Sequence, residues 1–388
     1  MITELRLINF KCFARQTIEL KPLTVLAGLN GMGKSTVIQS LLVLRQSFLE
    51  GHLKQGLLCN AGNIIDLGTL RDAHFEFAKT SLLGIAIKSD DLPINKRGFK
   101  FSVPKLDQEI ENRFPNSNKT TLRTYQESSS IANLLGITKQ ESQPLSFQYL
   151  KAERNGPRKF LPKSNSISEN LDLGSSGEYV FHFLDYFQDR IQLSENDPRL
   201  VEASSLRLRD QLSGWLDDIS PGASLSITPV TDADLMLGGY AFSEPGKVST
   251  RNYRSTNVGF GLSYVLPVIV SLLSAKAGSL LIIENPEAHL HPKGQTKLGE
   301  LCARAAAAGV QIIIETHSDH FMDGARIAVH DALLNHEDVC FNYFRKKDYK
   351  TIVSTPKIDS SGRLSEWPEG FFDQHRRNAA KLMKPRTV

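Results

Sequence analysis

Apolar and polar positions alternate near the start of the chain, Ile2, Leu5 and Leu7 against Thr3, Glu4 and Arg6, and again at Thr17-Ile18-Glu19-Leu20. With Asn9-Phe10-Lys11-Cys12-Phe13 between them, these period-2 stretches predict a β-hairpin. An unbroken apolar run, Leu23-Thr24-Val25-Leu26-Ala27, predicts a buried strand, and Val37 to Leu44 has helical period. Short alternating stretches around His74 to Phe77, Leu82 to Ile87 and Phe99 to Val103 predict strands of an antiparallel subsheet. A strand at Leu145 to Leu150, helical periods at Gly177 to Arg190 and Pro198 to Leu216, and strand-like residues 223–248 follow. Two further apolar runs, Leu280 to Ile283 and Val310 to Ile314, flank a helical stretch, Gly294 to Ala308. A helix from Phe321 and strands at Val339 to Phe344 and Thr351 to Val353 close the chain. Buried strands alternating with helices predict an α/β fold around a central, mostly parallel sheet.

The most informative stretch is Gly28-Leu29-Asn30-Gly31-Met32-Gly33-Lys34-Ser35-Thr36, between the predicted strand and helix. Glycines let a loop turn its N–H groups inward around a phosphate, and the helix N-terminus adds unpaired donors and its positive dipole end. Lys34 is then placed to reach the β- and γ-phosphates, Ser35 to ligate Mg²⁺ through its hydroxyl, with Thr36 beside it. The alternative is a glycine turn capping an ordinary helix. Three later features belong with this loop. Asn257-Val258-Gly259-Phe260-Gly261 enters an apolar helix and is a second candidate anion-binding N-terminus through Gly259 and Gly261, or else a plain helix cap. Glu284 ends a buried strand, where ligands bind in parallel sheets, and is expected to hold Mg²⁺, directly or through its water, opposite Ser35; without a cation a carboxylate there is costly to desolvate. His317, two residues past another central strand, resembles the switch histidine of ABC-type ATPases, which senses the γ-phosphate, a task that suits histidine because it can donate to a phosphate oxygen and titrates near neutrality.

Composition narrows the class. The chain has 388 residues, 40% hydrophobic and 23% charged, enough to bury a large core. No apolar run approaches the length of a membrane span, the N-terminus lacks the pattern of a signal peptide, and the four cysteines are scattered; a cytoplasmic, non-membrane protein is expected. A net charge of +4 excludes a globally basic surface. Basic residues gather locally instead, at Lys96, Arg97, Lys100, Lys105, Arg113, Lys119 and Arg123, either as a solvated loop or as a DNA or partner surface. Arg154 and Arg158, beside a Gly-Pro turn, are open to a phosphate or carboxylate partner or to structural ion pairing.

The Asn-Phe-Lys end of the first strand followed by a phosphate loop resembles the SMC, RecF and overcoming-lysogenisation-defect (OLD) group of ABC-type ATPases. Ala152-Glu153-Arg154, Gly156-Pro157-Arg158, Glu284 to Pro292, Glu315 to Asp319 and Trp367 to Asp373 together look like its compact OLD-like members, over nearly the whole chain. That resemblance implies an ABC-type P-loop NTPase head with a central mostly parallel sheet, an antiparallel subsheet and an inserted mainly helical lid. It divides the chain into an N-terminal ATPase lobe (1–88), an insertion or lid (89–220), a C-terminal ATPase lobe (221–335) and closing strands with a tail (336–388). It also implies ATP and Mg²⁺ as cofactors, Asn30, Gly31, Gly33, Lys34, Ser35, Thr36 and Lys11 as nucleotide contacts, and Gly259 and Gly261 as a signature that meets the ATP of a second protomer. Lys11 reads equally as a solvated turn lysine. In that resemblance Glu284 takes the Walker B position, and the usual glutamate after it is Asn285 here, which cannot accept the proton of an attacking water. Either Glu287 or His317 takes that role, or ATP serves mainly as a dimerising ligand. No sustained heptads exist for long coiled-coil arms, and the residues after His317 are too few for a TOPRIM nuclease domain. The expected function is a nucleotide-driven homodimer, or higher oligomer, that switches an effector protein such as a nuclease in antiphage defence. The alternative is a DNA-binding repair or chromosome-maintenance ATPase in the manner of RecF.

Overall fold

The computed structural model describes residues 1–55, 57–89, 98–102, 132, 134–137, 145–164, 172–244, 246–347, 350–368, 378 and 380–383. Most of the basic residues between 96 and 123, and Phe371, Phe372, Arg376, Arg377, Lys384 and Arg386, lie outside them. In chain order the strands are β1 (Glu4–Phe10), β2 (Phe13–Glu19), β3 (Leu23–Gly28), β4 (Leu82–Lys88), β5 (Gly98–Ser102), β6 (Phe147–Leu150), β7 (Leu161–Pro162), β8 (Ala223–Val230), β9 (Leu235–Phe242), β10 (Tyr253–Arg254), β11 (Leu280–Glu284), β12 (Gln311–Glu315), β13 (Val339–Lys347) and β14 (Lys350–Ser354). The α-helices are α1 (Lys34–Leu49), α2 (Val180–Phe187), α3 (Leu208–Ile219), α4 (Phe260–Ser274), α5 (Pro292–Ala307) and α6 (Asp319–His330).

Six strands form the central sheet in the order β14-β13-β3-β12-β11-β6, parallel except for β14. Successive residues of its strands point to opposite faces, and each face meets its own core. Leu281, Ile283, Ile312 and Ile314 join the larger cluster with Trp215, Leu266 and Phe321. Leu280, Ile282 and Ile313 join the other, with Val37 and Leu41 of α1 and the inner residues of β1 and β4. The aliphatic runs of β11 and β12 are thus apolar on both sides because both faces are covered. An antiparallel sheet, β2-β1-β4-β5, stacks beside α1, and β7, β8, β9 and β10 make a second one. Gln311 ties the first of these to the central sheet: its side chain accepts from the Ile2 amide (2.9 Å) and donates to the Ile2 carbonyl (2.6 Å). The α/β class, the mostly parallel sheet and the antiparallel subsheet are as the pattern predicts. β6, inside the 89–220 segment, is an edge strand of the central sheet.

Two local expectations fail. His74 to Phe77 is turn rather than strand, with only an isolated bridge from His74 to Phe10. Asp72 accepts from both the amide and hydroxyl of Thr69 (2.8 and 2.7 Å), which closes a tight turn, and the Phe75 amide donates to Asn9 O, pinning the segment to the β1–β2 corner. Residues 198–207 are not helical either. Arg199 is buried there, its guanidinium donating to the carbonyls of Leu272, Leu273 and Ala275 at the end of α4, so this stretch is a C-terminal cap for another helix and α3 begins only at Leu208.

Candidate nucleotide site

The glycine-rich loop runs from β3 to α1 at the carboxyl edge of the central sheet. Gly28 (φ +140°) and Gly33 (φ +105°) hold backbone that other residues rarely adopt, and an added Cβ would stand 2.5 Å from Phe344 O at the first and 2.6 Å from Cys12 Sγ at the second. Lys34 is buried, its ammonium donating to Gly28 O (2.8 Å) and Leu29 O (3.0 Å) and lying 3.7 Å from a Glu315 carboxylate oxygen. Ser35 Oγ donates to the other Glu315 oxygen at 2.8 Å. Asn30, Gly31, Gly33, Lys34, Ser35, Thr36 and Lys11 line one cavity of about 580 Å³, which extends to Asp72 and Phe77. Lys11, half-buried in the turn between β1 and β2, donates to Gln39 Oε1 at 2.8 Å. A cavity of about 670 Å³ lies under the opposite, amino edge of the sheet, beside Pro22, Gln311 and Asp338. Ligands of parallel sheets bind at the carboxyl edge, where the glycine-rich loop, Lys34 and Ser35 stand.

Glu284 makes no hydrogen bond to Ser35. Its two oxygens accept from Tyr149 Oη (3.0 Å) and the Ala152 amide (3.1 Å), toward β6, while its register partner across the β11–β12 pair, Glu315, takes the place beside Ser35. A signal for this was present, since Ile312-Ile313-Ile314-Glu315 repeats the pattern of Leu281-Ile282-Ile283-Glu284, two neighbouring buried strands that both end on a carboxylate.

Past Glu284 the chain turns sharply: Asn285 sits at φ +44° and His289 at φ +64°. Arg154 holds this turn from below, donating to the carbonyls of Glu284 (2.6 Å), Asn285 (2.6 Å), Lys151 (3.0 Å) and Tyr264 (3.2 Å). Burial pushes its guanidinium down to about 10. Arg154 is therefore a structural clamp, and Arg158 is exposed. Arg154→Ala leaves several buried carbonyls unpaired and is expected to lower stability by about 3 kcal/mol or more, read from denaturant unfolding. Arg154→Lys, a single ammonium in place of a planar fork, recovers little of it.

Glu287 is buried in the same turn. One of its oxygens accepts from the His317 amide (2.9 Å); among the described residues its other oxygen and Asn285 Oδ1 meet no hydrogen-bond partner. Burial raises both Glu287 and Glu315 above the usual carboxylate range, and it lowers Lys34. Partial burial and the Lys34 charge lower His317, which keeps its imidazole neutral at pH 7. Gly259 and Gly261 start α4 outside the walls of the loop cavity; a Cβ at Gly261 would meet His289 O at 2.7 Å, so the α4 entry packs directly on the turn after β11. Tyr264 and Phe260 lie against the His289 ring, with centroids 4.7 and 5.4 Å away, and His291 caps α5, its side chain accepting from the Lys293 amide.

A strand, a glycine-rich loop closed by Lys-Ser and a helix, at the carboxyl edge of a parallel sheet whose next strands end on carboxylates, define a P-loop NTPase. The family model described as "AAA domain, putative AbiEii toxin, Type IV TA system" matches residues 23–323, and the chain belongs to this family of ABC-type ATPase domains. A second model, for a family of unknown function, DUF3696, matches residues 334–382. The chain is a distant relative of an OLD nuclease from Thermus scotoductus, 23% identical over an alignment of 383 positions that covers 90% of this chain and 65% of that protein. It thus spans a little under two thirds of that relative. Among solved structures it is similar to an Smc head domain with an extended coiled coil, bound to the C-terminal domain of ScpA from Pyrococcus furiosus (13% identity, 99% of each chain covered, TM-score 0.49). It is also similar to an SMC head domain from Thermotoga maritima (11% identity, 91% and 98% covered, TM-score 0.40). No helix among the described residues is long and apolar enough to cross a membrane.

Proposed function

We propose that this chain binds and slowly hydrolyses ATP, and that two copies close on the nucleotide to switch an effector protein. The observation that carries this reading is the convergence of the loop glycines, Lys34 and Ser35 with a strand-end carboxylate around one cavity at the carboxyl edge of the sheet. The hydroxyl and carboxylate oxygens beside the loop are the hard donors that Mg²⁺ takes, so the residues present fit that ion. When bound, Mg²⁺ would neutralise charge on the phosphates. Lys34 exchanges its carbonyl contacts for phosphate oxygens, and the loop amides orient the chain of phosphates. His317, neutral at pH 7, is suited to donate to the terminal phosphate.

Asn285 offers no proton acceptor, and Glu287, a buried carboxylate two residues on with one oxygen unpartnered, is the better substitute. Gly259 and Gly261, away from the loop cavity on their own protomer, would serve the site of the second copy. The relatives' names, a nuclease and a toxin of a type IV system, support an effector of destructive chemistry and a place in antiphage defence. The basic stretch around residues 96–123 leaves a direct DNA contact as the competing use of the same head.

The test is steady-state phosphate release by the purified chain with and without Asn285→Glu. A slow wild type that Asn285→Glu accelerates shows that the missing base limits turnover. That variant carries its own cost, because φ +44° suits Asn and disfavours Glu by about 1 kcal/mol. Fast turnover in the wild type, unchanged by Asn285→Glu, would sink the slow-switch reading, and DNA binding that falls steeply with salt and tightens with ATP would favour the repair class.

A further inference from the structure

Resting on the reading of this cavity as an ATP site, we infer that Glu315, rather than Glu284 on the neighbouring strand, is the carboxylate through which this chain holds the divalent cation of its nucleotide. The first argument is position. Glu315 ends β12, whose Ile314 and Glu315 pair in register with Val25 and Leu26 of β3, the strand that delivers the phosphate loop. Its carboxylate is the one that meets both loop groups, Ser35 Oγ at 2.8 Å and Lys34 Nζ at 3.7 Å. Glu284 has both oxygens occupied by donors on the far side, Tyr149 and Ala152, and would have to abandon them to face Ser35.

The second argument is charge. Glu315 is only 7% exposed, and Lys34 is the cation beside it. A phosphate that draws Lys34 away leaves Glu315 buried, ionised and facing further negative charge, which is costly unless another cation arrives. A divalent ion is the replacement that suits these hard oxygen donors, and the Ser35 hydroxyl and the Glu315 carboxylate are the groups that would hold it. The same contacts make Glu315 the counter-charge of Lys34 and the acceptor that orients Ser35. ATP and the metal are therefore coupled through one side chain. ATP alone would bring its phosphates toward a buried carboxylate, and a divalent cation held by that carboxylate would offset the repulsion.

Equilibrium binding of N-methylanthraniloyl-ATP to the full chain, in EDTA and in excess Mg²⁺, reads this coupling directly and needs no turnover. The wild type should bind markedly tighter with Mg²⁺ than in EDTA. Glu315→Gln keeps the shape and removes the charge; it should lower the metal's affinity for the nucleotide complex by about 10- to 100-fold, the scale seen when groups that hold a metal site are lost. In EDTA the same variant should bind the analogue at least as tightly as the wild type, because the repelling charge is gone. Mn²⁺ in place of Mg²⁺, counted by its electron paramagnetic resonance signal, should show the same loss. Glu315→Asp, which keeps the charge on a shorter stem, should retain part of the metal dependence and guards against a folding defect in the amide variant. The proposal is overturned if Glu315→Gln keeps the wild-type ratio between the two buffers, or if Glu284→Gln alone abolishes it. A wild type that binds no analogue in either buffer would instead overturn the nucleotide-site reading itself, a different result from a lost ratio.

Discussion

Lys34→Ala is expected to leave a chain that folds but gains no thermal stability from ATP. A ligand that binds only the folded state stabilises it by about 2.7 kcal/mol at a hundredfold excess over its dissociation constant, and this increment should vanish in the variant. Lys34 is the buried ammonium of the loop, held by Gly28 O, Leu29 O and Glu315, and in the proposed mechanism it moves onto the phosphates. Turnover should fall by at least about 10²- to 10³-fold, as when a preorganised donor to a developing negative charge is deleted. Removing Lys34 also strips Glu315 of its counter-charge, so the Glu315 carboxyl, already raised by burial, should rise further. A thermal-shift titration with ATP, run beside phosphate release, separates the two effects. Full ATP stabilisation in Lys34→Ala would contradict the site.

Glu287→Gln carries the second large expectation, and it divides stability from activity. The amide keeps the acceptor for the His317 amide and loses the base, so turnover should fall by about 10²- to 10⁴-fold while nucleotide affinity is kept. Stability should move the other way. Burial raises the native carboxyl of Glu287, so the folded state holds its proton at pH values where the unfolded chain has released it. The stabilisation this gives is complete below the ordinary carboxylate value and is lost as pH rises through the raised native one. Glutamine has no such titration, and Glu287→Gln should therefore be more stable than the wild type near neutral pH, with the advantage fading on acidification. Unfolding midpoints of the two chains across that range measure the difference. Wild-type turnover should rise with pH through the same window, since the base acts only when ionised. A variant that is less stable at every pH, or fully active, would remove Glu287 from the proposed role.

The backbone course of the site was legible in the chain because it depends on local rules. Gly28-Leu29-Asn30-Gly31-Met32-Gly33-Lys34-Ser35 marks strand, loop and helix from residue types alone, and positive φ at Gly28, Gly31 and Gly33 is what those glycines permit. The aliphatic runs before Glu284 and Glu315 likewise announce buried parallel strands. Pattern misled where a side chain serves a distant backbone. Residues 198–207 have helical period, yet Arg199 leaves that path to cap α4, and His74 to Phe77 alternate like a strand but are held as a turn by Asp72 and Asn9. Arg154, readable as a ligand-binding or a structural arginine, is settled as structural by four carbonyls from three separate segments.

The sequence by itself therefore determined the class of fold, the phosphate loop and the edge of the sheet on which the chemistry stands, since each is written in contiguous residues with a local physical cause. Only the tertiary structure decided which carboxylate meets the loop. Glu284 and Glu315 are equivalent as strand ends, and the choice rests on strand order and on partners far away in sequence: β12 lies next to β3, and Tyr149 and Ala152 on the other side claim Glu284. Hydrogen bonds across 132, 135 and 280 residues of chain have no periodicity to reveal them; packing alone brings their ends together.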